Sequence, residues 1–180
     1  MTSTPLEDKV HLKRRVVAFV LILIVDGSYI AWGAMAAASP DHLLKGPGGK
    51  AILPAAYEGY SHGSWSQLVE TAPSTAGYIL VMYRMYGIYC AIFGLMATAI
   101  AVTAFRRGEV WAWWTLLVGN TIALVSAMRM DWIVNAIGPF EITEYLGLGL
   151  VVVSLGLTAP FLEAKRSGRP VATVERRTVP

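Results

Sequence analysis

The sequence predicts an all-α protein, a four-helix transmembrane bundle. Of its 180 residues, 55% are hydrophobic and 15% are charged, whereas ordinary soluble domains carry about 25% charged residues. The apolar residues fall into four runs, and a helix needs roughly 20 of them to cross a bilayer core about 30 Å thick. The basic residues gather beside these runs and beside no nucleic-acid-binding motif. We therefore expect one membrane domain whose surroundings are lipid, with no nucleic-acid partner.

The first apolar run is Val16–Ala38, which follows a polar segment, residues 1–15. Its length predicts a membrane-spanning helix. A cleaved signal peptide is the competing interpretation, because the run has a basic start and Ala36-Ala37-Ala38 resembles a cleavage site. However, Asp26 interrupts the run and the apolar character continues well beyond it. This continuation favours a helix that stays in the membrane.

Residues 39–74 form a long connection that is rich in proline, glycine and aromatic residues. Proline and glycine break long helices, and aromatic side chains suit the membrane–water interface. We expect a long outer loop between helices one and two, with short helices at Ile52–Tyr57 and Trp65–Thr71.

The second and third runs are predicted to form a helical hairpin. The second run is Thr75–Phe105, and the short segment 106–109 leads directly into the third run, Trp111 to about Trp132. So short a connection requires the third helix to run antiparallel to the second. The distance from Trp113 to Trp132 is about 28 Å along a helix, close to the hydrocarbon thickness.

The fourth predicted helix is Glu141–Leu162, which begins after Gly138-Pro139 breaks the chain. A polar tail, residues 163–180, follows it. The helices and their connections make up one membrane domain, residues 16–162. The two polar ends lie outside it.

The sequence FRRGEVWAWW, Phe105–Trp114, resembles a pattern in uncharacterised bacterial four-helix integral membrane proteins. The resemblance covers the middle third of the chain and implies an integral membrane family with a shared hairpin. We expect the protein in a bacterial plasma membrane. It transfers no catalytic residue.

The distribution of lysine and arginine predicts the orientation. The two ends of the chain and the 106–109 turn hold most of the basic residues, whereas the 39–74 connection holds only Lys45 and Lys50. Lysine and arginine are enriched in cytoplasmic segments. Both termini and the 106–109 turn are therefore predicted to be cytoplasmic.

Two polar residues are predicted to lie near the bilayer midplane. Asp26 is ten residues from Val16 and Asn120 is ten residues from Val110, so each lies about 15 Å from the cytoplasmic end of its helix. Asp26 shares a helical face with Tyr29, Gly33 and Ala37, and such small-residue faces usually pack against another helix. Asp26 is either a hydrogen-bonded structural residue or part of a proton-coupled or ligand site.

A second group of ionisable residues is predicted near the outer boundary. Its members are Arg84, Arg129, Asp131, Glu141 and Glu144. The two glutamates also suit the start of a helix, and the arginines can extend to the interface. The group forms either an ion-paired cap or, with Asp26 and Asn120, a polar pocket.

No catalytic residue, cofactor or metal site is predicted. His42 and His62 are weak metal candidates, because they lack the spacing that fixes ligand geometry. The single cysteine, Cys90, lies within an apolar run and excludes an internal disulfide.

Three functions are compatible with these features. The first is a non-enzymatic accessory or scaffolding subunit of a larger membrane complex, or a homo-oligomer, since small-residue helix faces are abundant. The second is a lipid or small-molecule binder or carrier with an outward-facing polar pocket. The third is a membrane enzyme, for which Asp26 would need a second acid or a histidine within hydrogen-bond reach.

Overall fold

The computed structural model describes residues 5–38, 52–135 and 142–166. Within these ranges the protein is helical and contains no β-strand, as the sequence predicts. The helices are α1 (Pro5–Ala38), α2 (Ile52–Ser61), α3 (Trp65–Thr71), α4 (Pro73–Ile100), α5 (Val110–Val134) and α6 (Ile142–Arg166). A π-helical segment, Ala101–Phe105, continues α4.

Four helices are long and apolar enough to cross a membrane, which confirms the predicted number of such helices. The candidate spans are Leu12–Ala38, Pro73–Phe105, Val110–Val134 and Ile142–Ala159. The second has 33 residues and is about 50 Å long at 1.5 Å per residue. It exceeds the hydrocarbon thickness of about 30 Å, so it must tilt or project beyond the bilayer core.

Helix α1 packs against α4 along a seam of small residues. A Cβ atom added to Gly33 would overlap the backbone of Gly87 and Ala91, and one added to Gly87 would lie 2.7 Å from the Cβ of Ala36. Such close backbone approach is what small residues permit between membrane helices. The packing role predicted for the small-residue face of α1 is confirmed.

The long helices are arranged in the order α4, α1, α6, α5. Helix α1 contacts α4 and α6, and α5 contacts α6. Ser154 Oγ donates a hydrogen bond to Ala18 O across α6 and α1, at 2.7 Å. Trp113 Nε1 donates across α5 and α6 to Leu155 O at 3.1 Å and to Thr158 Oγ1 at 3.2 Å. The main core lies among α1, α4, α5 and α6.

Helices α4 and α5 are consecutive but share few contacts. The Phe93 ring bridges them, since a Cβ added to Gly119 would lie 3.6 Å from that ring. At the connection, Arg15 Nη2 donates to Arg106 O at 3.3 Å. We call this end of the bundle the turn end and the opposite end the loop end. The start of the α1 span and the C-terminal part of α6 both lie at the turn end. The cytoplasmic location of the turn end stays a prediction from the distribution of basic residues.

Two short helices lie at the loop end. Helix α3 occupies the predicted range, whereas α2 continues past its predicted end at Tyr57 to Ser61. The extension is stabilised because the Ser61 hydroxyl donates to Tyr57 O at 2.7 Å and Gly59 fits against the backbone of Val134. The predicted long loop is therefore partly helical; its residues 39–51 lie outside the described ranges.

Candidate functional site

The bundle interior contains two fully buried polar side chains, Asp26 of α1 and Asn120 of α5, each 0% exposed. The small-residue seam places Asp26 there, because a Cβ added to Gly94 of α4 would lie 2.7 Å from the Asp26 backbone oxygen. Because residue 94 is a glycine, the backbone of α4 can contact this part of α1 directly. Asn120 reaches the same region from α5 and faces the Asp26 carboxyl group. The two residues are neighbours, as their equal predicted depths suggested.

The Asp26 and Asn120 side chains lie close together without forming a hydrogen bond of full geometry. Within the described residues, neither carboxylate oxygen of Asp26 and neither amide atom of Asn120 has a partner with hydrogen-bond geometry. The side chains are close enough to interact, but their atoms are not aligned for a full bond. At least nine in ten buried backbone polar groups, and most buried side-chain ones, are hydrogen-bonded in proteins. This site is therefore an exception, and its oxygen atoms can accept hydrogen bonds from a donor between the helices.

Two aromatic residues border the buried pair. The rings of Tyr29 and Phe93 meet edge to face with centroids 5.1 Å apart. The Tyr29 hydroxyl is buried and, like Thr98 Oγ1, has no hydrogen-bond partner in the described part of the chain. Phe93 and the hydroxyl groups of Tyr29 and Thr98 were not among the predicted site residues. The position of Tyr29 one helical turn after Asp26 was the available signal for it.

Glu144 extends the polar region towards the loop end. It lies in the first turn of α6, where the helix dipole favours an acid. Its side chain is half-buried and lies within electrostatic range of Tyr29, Tyr86 and Cys90. The interior polar groups thus come from all four long helices.

Three further predicted site residues, Arg84, Arg129 and Asp131, lie towards the loop end of the bundle. Asp131 is half-buried and lies near Tyr83. The side chains of Arg84 and Arg129 are exposed, so the bundle does not enclose them with Asp26. Glu141 lies outside the described residues. Asp26 and Asn120, by contrast, are fully buried, so the two arginines do not share their environment.

Of the two weak metal candidates, His62 lies within the described ranges. His62 is exposed, with a φ angle of 57° just after α2, and His42 lies outside the described ranges. Over the described part of the chain, no group of three or more histidine, cysteine, aspartate or glutamate side chains is placed to hold a metal ion.

No protein-family model matches the chain, and neither a curated protein nor a solved structure matches it. The chemistry of the site must therefore be argued from its own groups. Asp26 and Asn120 together present carboxylate and amide oxygens, which accept hydrogen bonds, beside aromatic rings. Such a set suits a proton, a cation or a hydrogen-bond donor.

Proposed function

We propose that this protein binds a small molecule inside its four-helix bundle, as a binding protein or carrier, and that Asp26 and Asn120 hold the ligand. The observation that carries this proposal is the complete burial of both side chains without aligned partners among the described residues. An unsatisfied buried group costs about 1–3 kcal/mol, and more when it is charged. A ligand that bonds to both residues removes this cost.

The ligand that fits best carries a positive charge or several hydrogen-bond donors. The Asp26 carboxylate supplies a counter-charge, and the Asn120 oxygen accepts a further hydrogen bond. The neighbouring rings of Tyr29 and Phe93 can stabilise a cation through their π faces. A compact protonated amine combines these properties, and a larger lipid headgroup has less support at this depth.

Native mass spectrometry of the protein, purified in mild detergent from its host membranes, tests the proposal. We expect a small-molecule adduct on the wild type that Asp26→Asn and Asn120→Leu both lose. Arg84→Gln is the control, because it removes an exposed charge and should keep the adduct. Equal adducts on all four proteins would contradict the proposal.

A titration with ethylammonium chloride covers the case in which the ligand dissociates during purification. A ligand that binds only the folded protein raises its unfolding temperature. We expect such a rise for the wild type, relative to sodium chloride at equal ionic strength, and none for Asp26→Asn. Identical curves for the two proteins, together with no adduct, would reject the binding function.

An accessory subunit of a larger membrane complex is the second candidate. Gly149 and Gly156 of α6 are exposed, and a Cβ added to either would meet no atom within 4 Å. Their spacing of seven residues places them on one helical face, and small residues favour close packing of membrane helices. Cross-linking in native membranes should recover a partner that Gly149→Leu/Gly156→Leu loses and that Val118→Leu, at an exposed position of α5, keeps. A protein that is solitary in all cases would reject this candidate.

An enzymatic function has the least support. Asn120, rather than a second acid or a histidine, faces Asp26, so the site lacks an acid–base pair.

The proposed location is a bacterial plasma membrane, which rests on the resemblance carried by Phe105–Trp114.

A further inference from the structure

The turn end of the bundle has a cluster of basic side chains that the internal site does not use. Its members are Lys13, Arg14, Arg15, Arg106 and Arg107, all of which are exposed. They come from two segments about ninety positions apart in the sequence. We call them the basic cluster.

A direct contact joins the two halves of the basic cluster. Arg15 Nη2 donates a hydrogen bond to Arg106 O at 3.3 Å. The same nitrogen lies over the turn, since a Cβ added to Gly108 would be 3.5 Å from it. The two segments that carry the cluster are residues 13–15 and 106–109, and Glu109 is the one acidic residue in them. The contact therefore gathers five cations beside one acid.

The backbone of the turn fixes the positions of Arg106 and Arg107. Arg106 N donates to Ala101 O at 3.0 Å, and Arg107 N donates to Ala104 O at 3.1 Å. The side chains of Ala104 and Phe105 are buried, each 7% exposed. The arginines thus follow directly from a packed π-helical segment, which orders the site before any ligand binds.

The neighbouring side chains place the basic cluster at the level of the lipid headgroups. Trp111 and Trp114 follow the turn and are 54% and 55% exposed. Tryptophan is enriched at the membrane–water interface. Val16 and Val17, 53% and 48% exposed, mark the start of the apolar surface on α1. We therefore expect the guanidinium groups at the level of the phosphates of the adjacent leaflet.

We propose that the basic cluster binds the headgroup of an anionic phospholipid, with Arg14, Arg106 and Arg107 as the principal phosphate ligands. Guanidinium groups pair with phosphate oxygens through two parallel hydrogen bonds. The exposed indole rings of Trp111 and Trp114 contact the glycerol and upper acyl region of the same lipid. This site is at the opposite end of the bundle from Glu144 and is independent of ligand binding at Asp26.

The test uses the full-length protein in nanodiscs that contain phosphatidylcholine and phosphatidylglycerol in equal amounts. The lipids that remain bound after mild detergent extraction are counted by native mass spectrometry. We expect the wild type to retain phosphatidylglycerol preferentially. Arg106→Gln/Arg107→Gln should reduce this preference about tenfold, because each basic residue near an anionic surface contributes appreciably to lipid binding.

The matched control is Arg84→Gln/Arg129→Gln, which removes the same charge from exposed positions at the loop end. It should keep the preference of the wild type. Lys13→Gln/Arg14→Gln is the second test variant if Arg106→Gln/Arg107→Gln fails to fold, because neither side chain forms part of the turn. An equal loss in the control, or no preference in the wild type, would overturn the proposal.

Soluble glycerol phosphate distinguishes a lipid site from a site for a free phosphate compound. Added at millimolar concentration, it should leave the bound phosphatidylglycerol in place, because it lacks the acyl chains that lie against the apolar surface. Displacement of the lipid by glycerol phosphate would show that the site recognises a soluble anion, and the proposal would fail.

Discussion

Gly33 of α1 and Gly87 of α4 pack backbone against backbone, with no room for a side chain on either. A Cβ added to Gly87 would lie 2.9 Å from Gly33 O. The same seam continues to Gly94, where an added Cβ would lie 2.7 Å from Asp26 O, and Asp26 is 0% exposed. Stability of the seam and burial of the site are therefore linked.

The first prediction concerns this glycine contact. Gly33→Ala should lower the free energy of unfolding by about 1–3 kcal/mol, because overpacking a tight contact forces the backbones apart. The control is Gly27→Ala on the same helix, where an added Cβ meets nothing within 4 Å. Gly27→Ala should be neutral or stabilise by up to about 1 kcal/mol, since alanine favours a helix over glycine.

Thermal or SDS-induced unfolding in dodecyl maltoside measures both variants. A loss of stability for Gly33→Ala and no loss for Gly27→Ala are expected. A stabilising effect of Gly33→Ala would mean that the α1–α4 seam is looser than the structure indicates.

The second prediction concerns Trp113, whose indole N–H links α5 to α6. Trp113→Phe removes the hydrogen bonds to Leu155 O and Thr158 Oγ1 and should cost about 1 kcal/mol of unfolding free energy. Trp111→Phe is the control, because Trp111 is 54% exposed and forms no such link among the described residues. Equal stability of the two variants would show that the indole bond does not hold α5 against α6.

The third prediction concerns the buried bond from Ser154 to Ala18 O. Ser154→Ala should cost about 0.5–1.5 kcal/mol, because side-chain hydrogen bonds between membrane helices contribute modestly. Ser28→Ala is the control, since the Ser28 hydroxyl bonds to Val25 O within its own helix at 2.6 Å. The same unfolding measurement should find the larger loss for Ser154→Ala. A larger loss for Ser28→Ala would contradict the prediction.

Residue counting along the helices predicted one contact between polar residues correctly, that of Asp26 with Asn120. Counting residues along straight helices gives a depth, and the equal depths of Asp26 and Asn120 predicted that they meet. The small-residue face through Gly33 also predicted which side of α1 is buried. Both inferences use helical geometry, which the sequence determines directly.

The sequence did not predict which side of the bundle each residue faces. Arg84 and Arg129 share a depth with Asp131, yet both arginine side chains are exposed. Likewise, the short turn predicted that α4 and α5 run antiparallel but not that α5 packs mainly against α6. Orientation around a helix axis depends on the packing of all four helices together, and depth alone carries no information about it.

The fourth prediction is that Asp26→Asn stabilises the protein while it abolishes binding. Asparagine has nearly the same shape as aspartate but cannot carry a negative charge. Because Asp26 is fully buried without an aligned partner in the described structure, its replacement should raise the free energy of unfolding by about 1–2 kcal/mol. Functional sites often sacrifice stability in this way. A marked destabilisation would instead identify Asp26 as a structural residue.

A double-mutant cycle distinguishes the two roles of Asp26 more sharply. Asp26→Asn and Asn120→Leu should couple by about 0.5 kcal/mol or more, since contacting polar residues do not act additively. Asp26→Asn and Ser154→Ala form the control pair: Ser154 bonds to Ala18 O, which lies about 12 Å from Asp26 along α1. The control pair should be additive within about 0.5 kcal/mol. Additivity for Asp26 and Asn120 as well would mean that the two buried side chains do not form one site, and the proposed ligand would then have to bind elsewhere.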